Sequence, residues 1–261
     1  MKRKRIDPDL GQFPEELRRL LEGVPVWDSS CSPQAKVYYI ERDGGMYLKT
    51  APRGSLGREA RMDQFFFRKG LGPQVLTYLE GERDWLLTAR IPGEDCTWQP
   101  YLDDPKRLSE KTAQLLRSLH EADGFGCPVP DRTGEYLAKA AENYAAGVFD
   151  GDLFPDNWGY RSAEEAWNIV QTQGKYLKSD TLLHGDYCLP NILLDNWNFT
   201  GFIDLDTAGM GDRHVDLFWG TWTLQFNLKT DRYRDRFLDA YGREAVDEEL
   251  LRVVAAIEVF G

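Results

Sequence analysis

The segment from His184 to Leu205 constrains this chain more than any other, because it places polar groups at the ends of two short strands. His184-Gly185-Asp186-Tyr187-Cys188-Leu189-Pro190-Asn191 leads into the apolar run Ile192-Leu193-Leu194. Thr200-Gly201-Phe202-Ile203-Asp204-Leu205 is a second run, rich in β-branched and aromatic residues, and Asn196-Trp197-Asn198-Phe199 between them begins with turn formers. Residues 191–195 and 200–205 therefore read as a β-hairpin. Pairing of its strands returns the end of the second to the start of the first, which would set Asn191 and Asp204 side by side at one edge.

His-Gly-Asp by itself is more readily a buried histidine beside a turn aspartate. The full spacing carries more. Asn191 lies five residues after Asp186, and Asp204 thirteen after Asn191. Kinase-type phosphoryl transfer needs this inventory: a carboxylate to accept or orient a hydroxyl proton, then an asparagine and a second aspartate for magnesium. Hard oxygen ligands with retained waters suit Mg²⁺.

With 261 residues, 42% hydrophobic and 29% charged, the chain reads as an ordinary soluble protein of one large or two small domains. Its net charge of -11 argues against a nucleic-acid binder, which would show a basic face, and is compatible with cationic partners. Cysteines at 31, 96, 127 and 188 lack CxxC spacing and are too few for a disulfide framework, so neither zinc nor an oxidising compartment is expected. No apolar run approaches the roughly 20 residues of a membrane span, and no secretory signal follows Met1. A cytoplasmic protein without membrane contact, monomeric or weakly dimeric, is the expectation. Lys2-Arg3-Lys4-Arg5 reads as a frayed, solvated terminus.

Along the chain, residues 13–22 read as a helix, then 35–40 and 46–50 as strands around the turn Glu41-Arg42-Asp43-Gly44-Gly45. Residues 56–69 read as a helix, and 75–79 and 85–88 as further strands. Ile91-Pro92-Gly93-Glu94 breaks the pattern. Beyond it, 104–121, 131–146, 163–176, 231–241 and 247–260 read as helices. The expected class is α+β: a β-rich N-lobe over 1–90 and a larger, mainly helical C-lobe over 91–261, interrupted by the hairpin. In such an architecture a phosphate-binding lysine belongs on a strand of the small lobe, paired with a helix glutamate. Lys49 and Glu59 stand at such places, and their ion pair would hold the ammonium toward the phosphates of a nucleotide.

Met46-Tyr47-Leu48-Lys49, Leu56-Gly57-Arg58-Glu59-Ala60, Arg83-Asp84-Trp85-Leu86-Leu87, His184 through Ile192 and Gly201-Phe202-Ile203-Asp204 occur in an order that resembles the aminoglycoside 3'-phosphotransferases, which share the two-lobe protein-kinase fold. The resemblance covers nearly the whole chain. It implies that ATP or GTP donates a phosphoryl group to a hydroxyl of an aminoglycoside, conferring resistance. Asp186 would be the catalytic carboxylate, Asn191 and Asp204 the Mg²⁺ ligands, Lys49 the phosphate contact and Glu59 its partner. Ser32 would match a phosphate-loop serine. Tyr47 would stack on adenine, unless it is a cross-strand packing residue. Ala89 to Ile91 would pair with the base edge. For a polycationic acceptor, the acidic stretch holding Asp150, Asp152 and Asp156, together with Glu258 near the C-terminus, would supply the contacts.

Two departures qualify the acceptor. The family carries a small residue, Gly, then Arg after its metal aspartate, where this chain has Leu205-Asp206-Thr207. Gly261 also displaces the terminal carboxylate by one residue. The first keeps open a kinase of a small metabolic alcohol or sugar, choline-kinase-like in its acceptor. A nucleotide-binding module without catalysis is a third reading, against which the complete set of Lys49, Glu59, Asp186, Asn191 and Asp204 speaks.

Overall fold

The computed structural model of the chain describes residues 3–31, 35–151 and 160–261. In chain order its elements begin with β1 (Lys4–Ile6), α1 (Glu15–Leu21), β2 (Val26–Asp28), β3 (Lys36–Ile40), β4 (Met46–Pro52), α2 (Gly57–Arg68), β5 (Val75–Leu79), β6 (Arg83–Ala89) and β7 (Glu94–Asp95). There follow α3 (Gln99–Leu102), α4 (Pro105–His120), α5 (Arg132–Ala145), α6 (Ala163–Gln173), β8 (Thr181–Leu183), β9 (Ile192–Asp195), β10 (Asn198–Phe202), β11 (Gly209–Gly211), α7 (Arg213–Leu228), α8 (Arg234–Tyr241) and α9 (Glu248–Glu258). The strands and helices combine into an α+β fold.

Two compact units result, one of residues 1–95 with 192–206, the other of residues 96–191 with 207–261. In the first, an antiparallel sheet in the order β1-β2-β3-β4-β6-β5 has both faces covered. Strand side chains alternate between faces. Tyr38, Ile40, Met46, Leu48, Trp85 and Leu87 meet Phe13, Leu17 and Leu21 from the α1 region on one side. Ala51 and Leu86 meet Leu56 and Ala60 from the start of α2 on the other. Lys49 shares the α2 face, being flanked along β4 by residues of the opposite set.

Arg3, Lys4 and Arg5 of the basic cluster are not frayed. Lys4, Arg5 and Ile6 pair with Asp28, Trp27 and Val26, and the Arg3 guanidinium lies 3.8 Å from the centroid of the Tyr39 ring. An aromatic face attracts such a cation, and the edge strand supplies the ladder bonds that solvent would otherwise provide.

The expected hairpin is β9–β10. Asp195 pairs with Asn198, so the loop is only Asn196-Trp197, both with positive φ (50° and 67°), the handedness a tight hairpin demands. Its second strand starts two residues earlier than expected, and an irregularity between Phe199 and Gly201 absorbs the slip. The hairpin belongs to the first unit rather than to residues 91–261. β7 pairs along β9, Glu94 with Leu194 and Asp95 with Leu193, and the Phe202 N–H donates to the Leu71 carbonyl at 2.7 Å. Gly93 (φ 97°) lets the chain pass so close that a Cβ there would stand 2.2 Å from the Leu194 carbonyl oxygen.

In the second unit α4 packs on α8 and α7, and α9 is met by α5, α6 and α7, while β8 and β11 form a short ribbon. Helix starts agree with the sequence because side chains cap them: Asp104, Asp131, Ser162 and Asp247 each accept a backbone N–H of the first turn. α7 was not expected. His214, Val215, Asp216, Leu217, Phe218, Gly220, Thr221, Thr223 and Leu224 are all buried, so this helix lacks the polar stripe that reveals amphipathic ones. Among the described residues no helix is long and apolar enough to cross a membrane.

Candidate active site

In the first unit the β4–β6 register pairs Lys49 with Leu86, on the face that α2 covers. Glu59 is the third residue of α2 and points back at that face. The Lys49 Nζ donates to the Glu59 carboxylate at 2.9 Å and to the Asp204 Oδ1 at 2.8 Å. The sequence-derived ion pair is therefore present, and one of the two expected metal ligands joins it. Asp204 adopts a left-handed φ of 62°, a conformation few residues other than glycine hold and one found at ligand sites. Its side chain is 48% exposed, against 7% for Glu59.

Electrostatics follow from that difference. Burial alone would lower the Lys49 ammonium, but the Glu59 and Asp204 carboxylates outweigh it and hold the proton firmly. Burial pushes the Glu59 carboxyl up to about 7 against the pull of Lys49, with Asp204 and Asp206 adding to the rise. Asp63, one turn further along α2 and 2% exposed, is pushed well above the carboxylate range by burial and then by Glu59. Asp206, which the sequence marked as a departure, thus acts as one more negative charge felt by Glu59 and Asp63.

Tyr47 lies on the same strand as Lys49. Its ring centroid is 5.2 Å from that of Tyr39, and its hydroxyl accepts from Arg3 at 2.5 Å. The Ala89 N–H donates to the Gln74 carbonyl and the Arg90 N–H to the Gly45 carbonyl, so any base contact must use other backbone groups of 89–91. Ser32 lies outside the described residues, as do Asp152 and Asp156.

In the second unit Asp186 stands on the loop that leaves β8. The loop is held by Asp216 of α7, fully buried, whose carboxylate accepts the His184 N–H at 2.8 Å and the Gly185 N–H at 2.7 Å. Gly185 has φ 85°, and a Cβ on it would meet the Thr207 carbonyl oxygen at 2.1 Å. His120 Nε2 lies 3.1 Å from the same carboxylate and its Nδ1 2.8 Å from the Tyr241 hydroxyl. With Asp216 accepting, the imidazole donates from Nε2 and accepts from tyrosine. Asn191 Nδ2 donates to the Asp186 Oδ2 at 2.9 Å and to its carbonyl at 3.0 Å, which fixes Asp186 and turns the amide oxygen into the group available for a cation. A carboxamide oxygen and a half-exposed carboxylate are hard donors of the kind Mg²⁺ takes.

Two residues expected at the acceptor site come together in this unit. The Asp150 N–H donates to the Val259 carbonyl at 2.8 Å, beside Glu258. Burial pushes the Glu258 carboxyl up to about 7, although Tyr136 and Trp219 donate to it. Arg132 of α5 donates its Nε to the Thr207 carbonyl at 2.9 Å. Sequence reading did not find His120, Tyr241 or Arg132. Each acts across more than 70 positions, and nothing in local spacing marks such partners.

Comparison with known proteins supplies the relatives. A sequence profile of the "Phosphotransferase enzyme family" matches residues 32–254. The chain is 47% identical over 260 residues to a "Probable aminoglycoside 3'-phosphotransferase" of Lactococcus lactis subsp. lactis (strain IL1403), covering 99% of this chain and 98% of that one. It is 30% identical to an "Aminoglycoside 3'-phosphotransferase" of Streptomyces fradiae, over 82% and 85% of the two chains. Among solved structures, an aminoglycoside-3'-phosphotransferase of type VIII superposes with a TM-score of 0.74 at 26% identity, over 96% of each chain.

Proposed function

The chain belongs to the phosphotransferase enzyme family, and from that premise we propose that it transfers the γ-phosphoryl group of ATP or GTP to a hydroxyl of an aminoglycoside. The observation that carries this reading is the Lys49 ammonium bridging Glu59 and Asp204 on one face of the sheet. Lys49 contacts the nucleotide phosphates in this reading, and Glu59 keeps it from swinging away. Asn191 and Asp204 hold Mg²⁺, for which their oxygens are suited. The ion, when bound, supplies positive charge beside the phosphates. Tyr47 lies against the adenine, and the 89–91 backbone faces the base edge.

Asp186 takes the acceptor hydroxyl proton. Its carboxylate is already aimed by Asn191, and its backbone by the loop that Asp216 holds, so little reorganisation is needed on substrate binding. Asp150, Glu258 and the acidic stretch between α5 and α6 meet acceptor ammonium groups. A charge-assisted contact is worth about 1.5–3 kcal/mol when desolvated and little when exposed, so affinity comes from several together.

Expression in a susceptible host tests the reading. The wild-type gene should raise the inhibitory concentration of kanamycin- or neomycin-class drugs, and Asp186→Ala should abolish the rise while magnesium-dependent nucleotide binding persists. Turnover of kanamycin by the alanine variant at near wild-type rate would remove Asp186 from its role. Asp206-Thr207 favours a second reading, a metabolic alcohol as acceptor. No resistance to any such drug, with turnover of a small alcohol in a coupled nucleotide assay, would select it.

A further inference from the structure

We infer that Asp84 is a positioning residue: from β6 it holds the first turn of α2, and so keeps Glu59 seated against Lys49. α2 begins without a cap of its own. Leu56 occupies the N-cap position and offers no side-chain acceptor, where Ser, Thr, Asp or Asn would ordinarily stand. The acceptor comes across the sheet instead. The Leu56 N–H donates to the Asp84 Oδ2 at 2.9 Å, and the Tyr78 hydroxyl donates to the same oxygen at 3.1 Å.

Asp84 is fully buried, which alone would raise its pKa. The Leu56 and Gly54 N–H groups, the Tyr78 hydroxyl and the Arg53 charge reverse that and hold the carboxyl below its ordinary value. A buried carboxylate at a helix N-terminus also meets the positive end of the helix dipole.

Register makes this more than a cap. Lys49 pairs with Leu86 and Ala51 with Asp84, so alternation puts all four on the face that Leu56 and Ala60 cover. α2 is thereby held at two points within one turn, Leu56 by Asp84 and Glu59 by Lys49. The pair on which the proposed nucleotide contact depends is assembled by the fold, through a strand residue that touches no substrate.

This inference rests on the proposed phosphate role of Lys49, and its test separates the two. In the purified full chain, Asp84→Ala should weaken magnesium–ATP binding about tenfold, the loss of one charge-assisted hydrogen bond. Asp84→Asn should recover most of that, since an amide oxygen still accepts the Leu56 N–H. Tyr78→Phe should weaken binding in the same direction by less, and serves if the alanine variant does not fold. An unchanged Kd in folded Asp84→Ala, or in Tyr78→Phe should it stand alone, overturns the inference. Failure of Asp84→Asn to rescue binding does so too. If Lys49→Ala also leaves the Kd unchanged, the nucleotide role of Lys49 falls instead.

Discussion

At the end of α9 the Glu258 carboxyl keeps its proton up to about pH 7, whereas an ordinary glutamate releases it near 4.5. Between those values the unfolded chain binds fewer protons at this site than the folded one. Stability is therefore lost as pH rises from about 4.5 to about 7 and is level above, from this group alone. Glu258→Gln should flatten that slope in denaturant titrations at pH 5 and pH 7.5, and an undiminished slope would assign it to another group. Glu59 contributes in the same sense, since burial raises it likewise. Asp186, Asn191 and Asp204 stand out as candidates at this scale because phosphoryl transfer restricts residue type and spacing. Asp84 was not legible in this way, since its partner Leu56 lies 28 positions away and offers only a backbone N–H.

Among the elements, the hairpin and α7 teach opposite lessons. β9 and β10 were legible because a short apolar run, turn formers and a second run are all local. Which unit they join was not, because β7 contributes only Glu94 and Asp95, too short a strand to read. Gly93 makes that junction. With φ 97° and a Cβ that would fall 2.2 Å from the Leu194 carbonyl oxygen, Gly93→Ala should push β7 off β9. A loss of about 2 kcal/mol or more in unfolding free energy is expected, together with weaker nucleotide binding because Asp204 follows β10. An alanine variant of wild-type stability would show that this close approach is dispensable. α7 escaped detection for the converse reason: burial of most of residues 214–224 blurs the periodicity on which helix reading depends.

At the scale of the molecule, the net charge of -11 draws cations from solution. For a polycationic acceptor the KM should rise several-fold between about 0.05 and 0.5 M salt, as the screening length shrinks from over 10 Å to about 4 Å. The KM for the anionic nucleotide should respond in the opposite sense or not at all. Steady-state kinetics over a salt series checks this, and an acceptor KM indifferent to salt would argue for a neutral alcohol.

By itself the sequence determined the class of fold, the candidate residues for phosphoryl transfer and the pairing of Lys49 with Glu59, since these follow from local pattern and from a reaction that tolerates few residue types. Only the tertiary structure decided that the hairpin joins the first unit, that Lys4–Ile6 form an edge strand, that Asp216, His120 and Tyr241 hold the loop carrying Asp186, and that Arg132 reaches Thr207. Those outcomes depend on contacts between segments far apart in the chain. They are set by burial and by which backbone groups remain to be satisfied once each layer is packed.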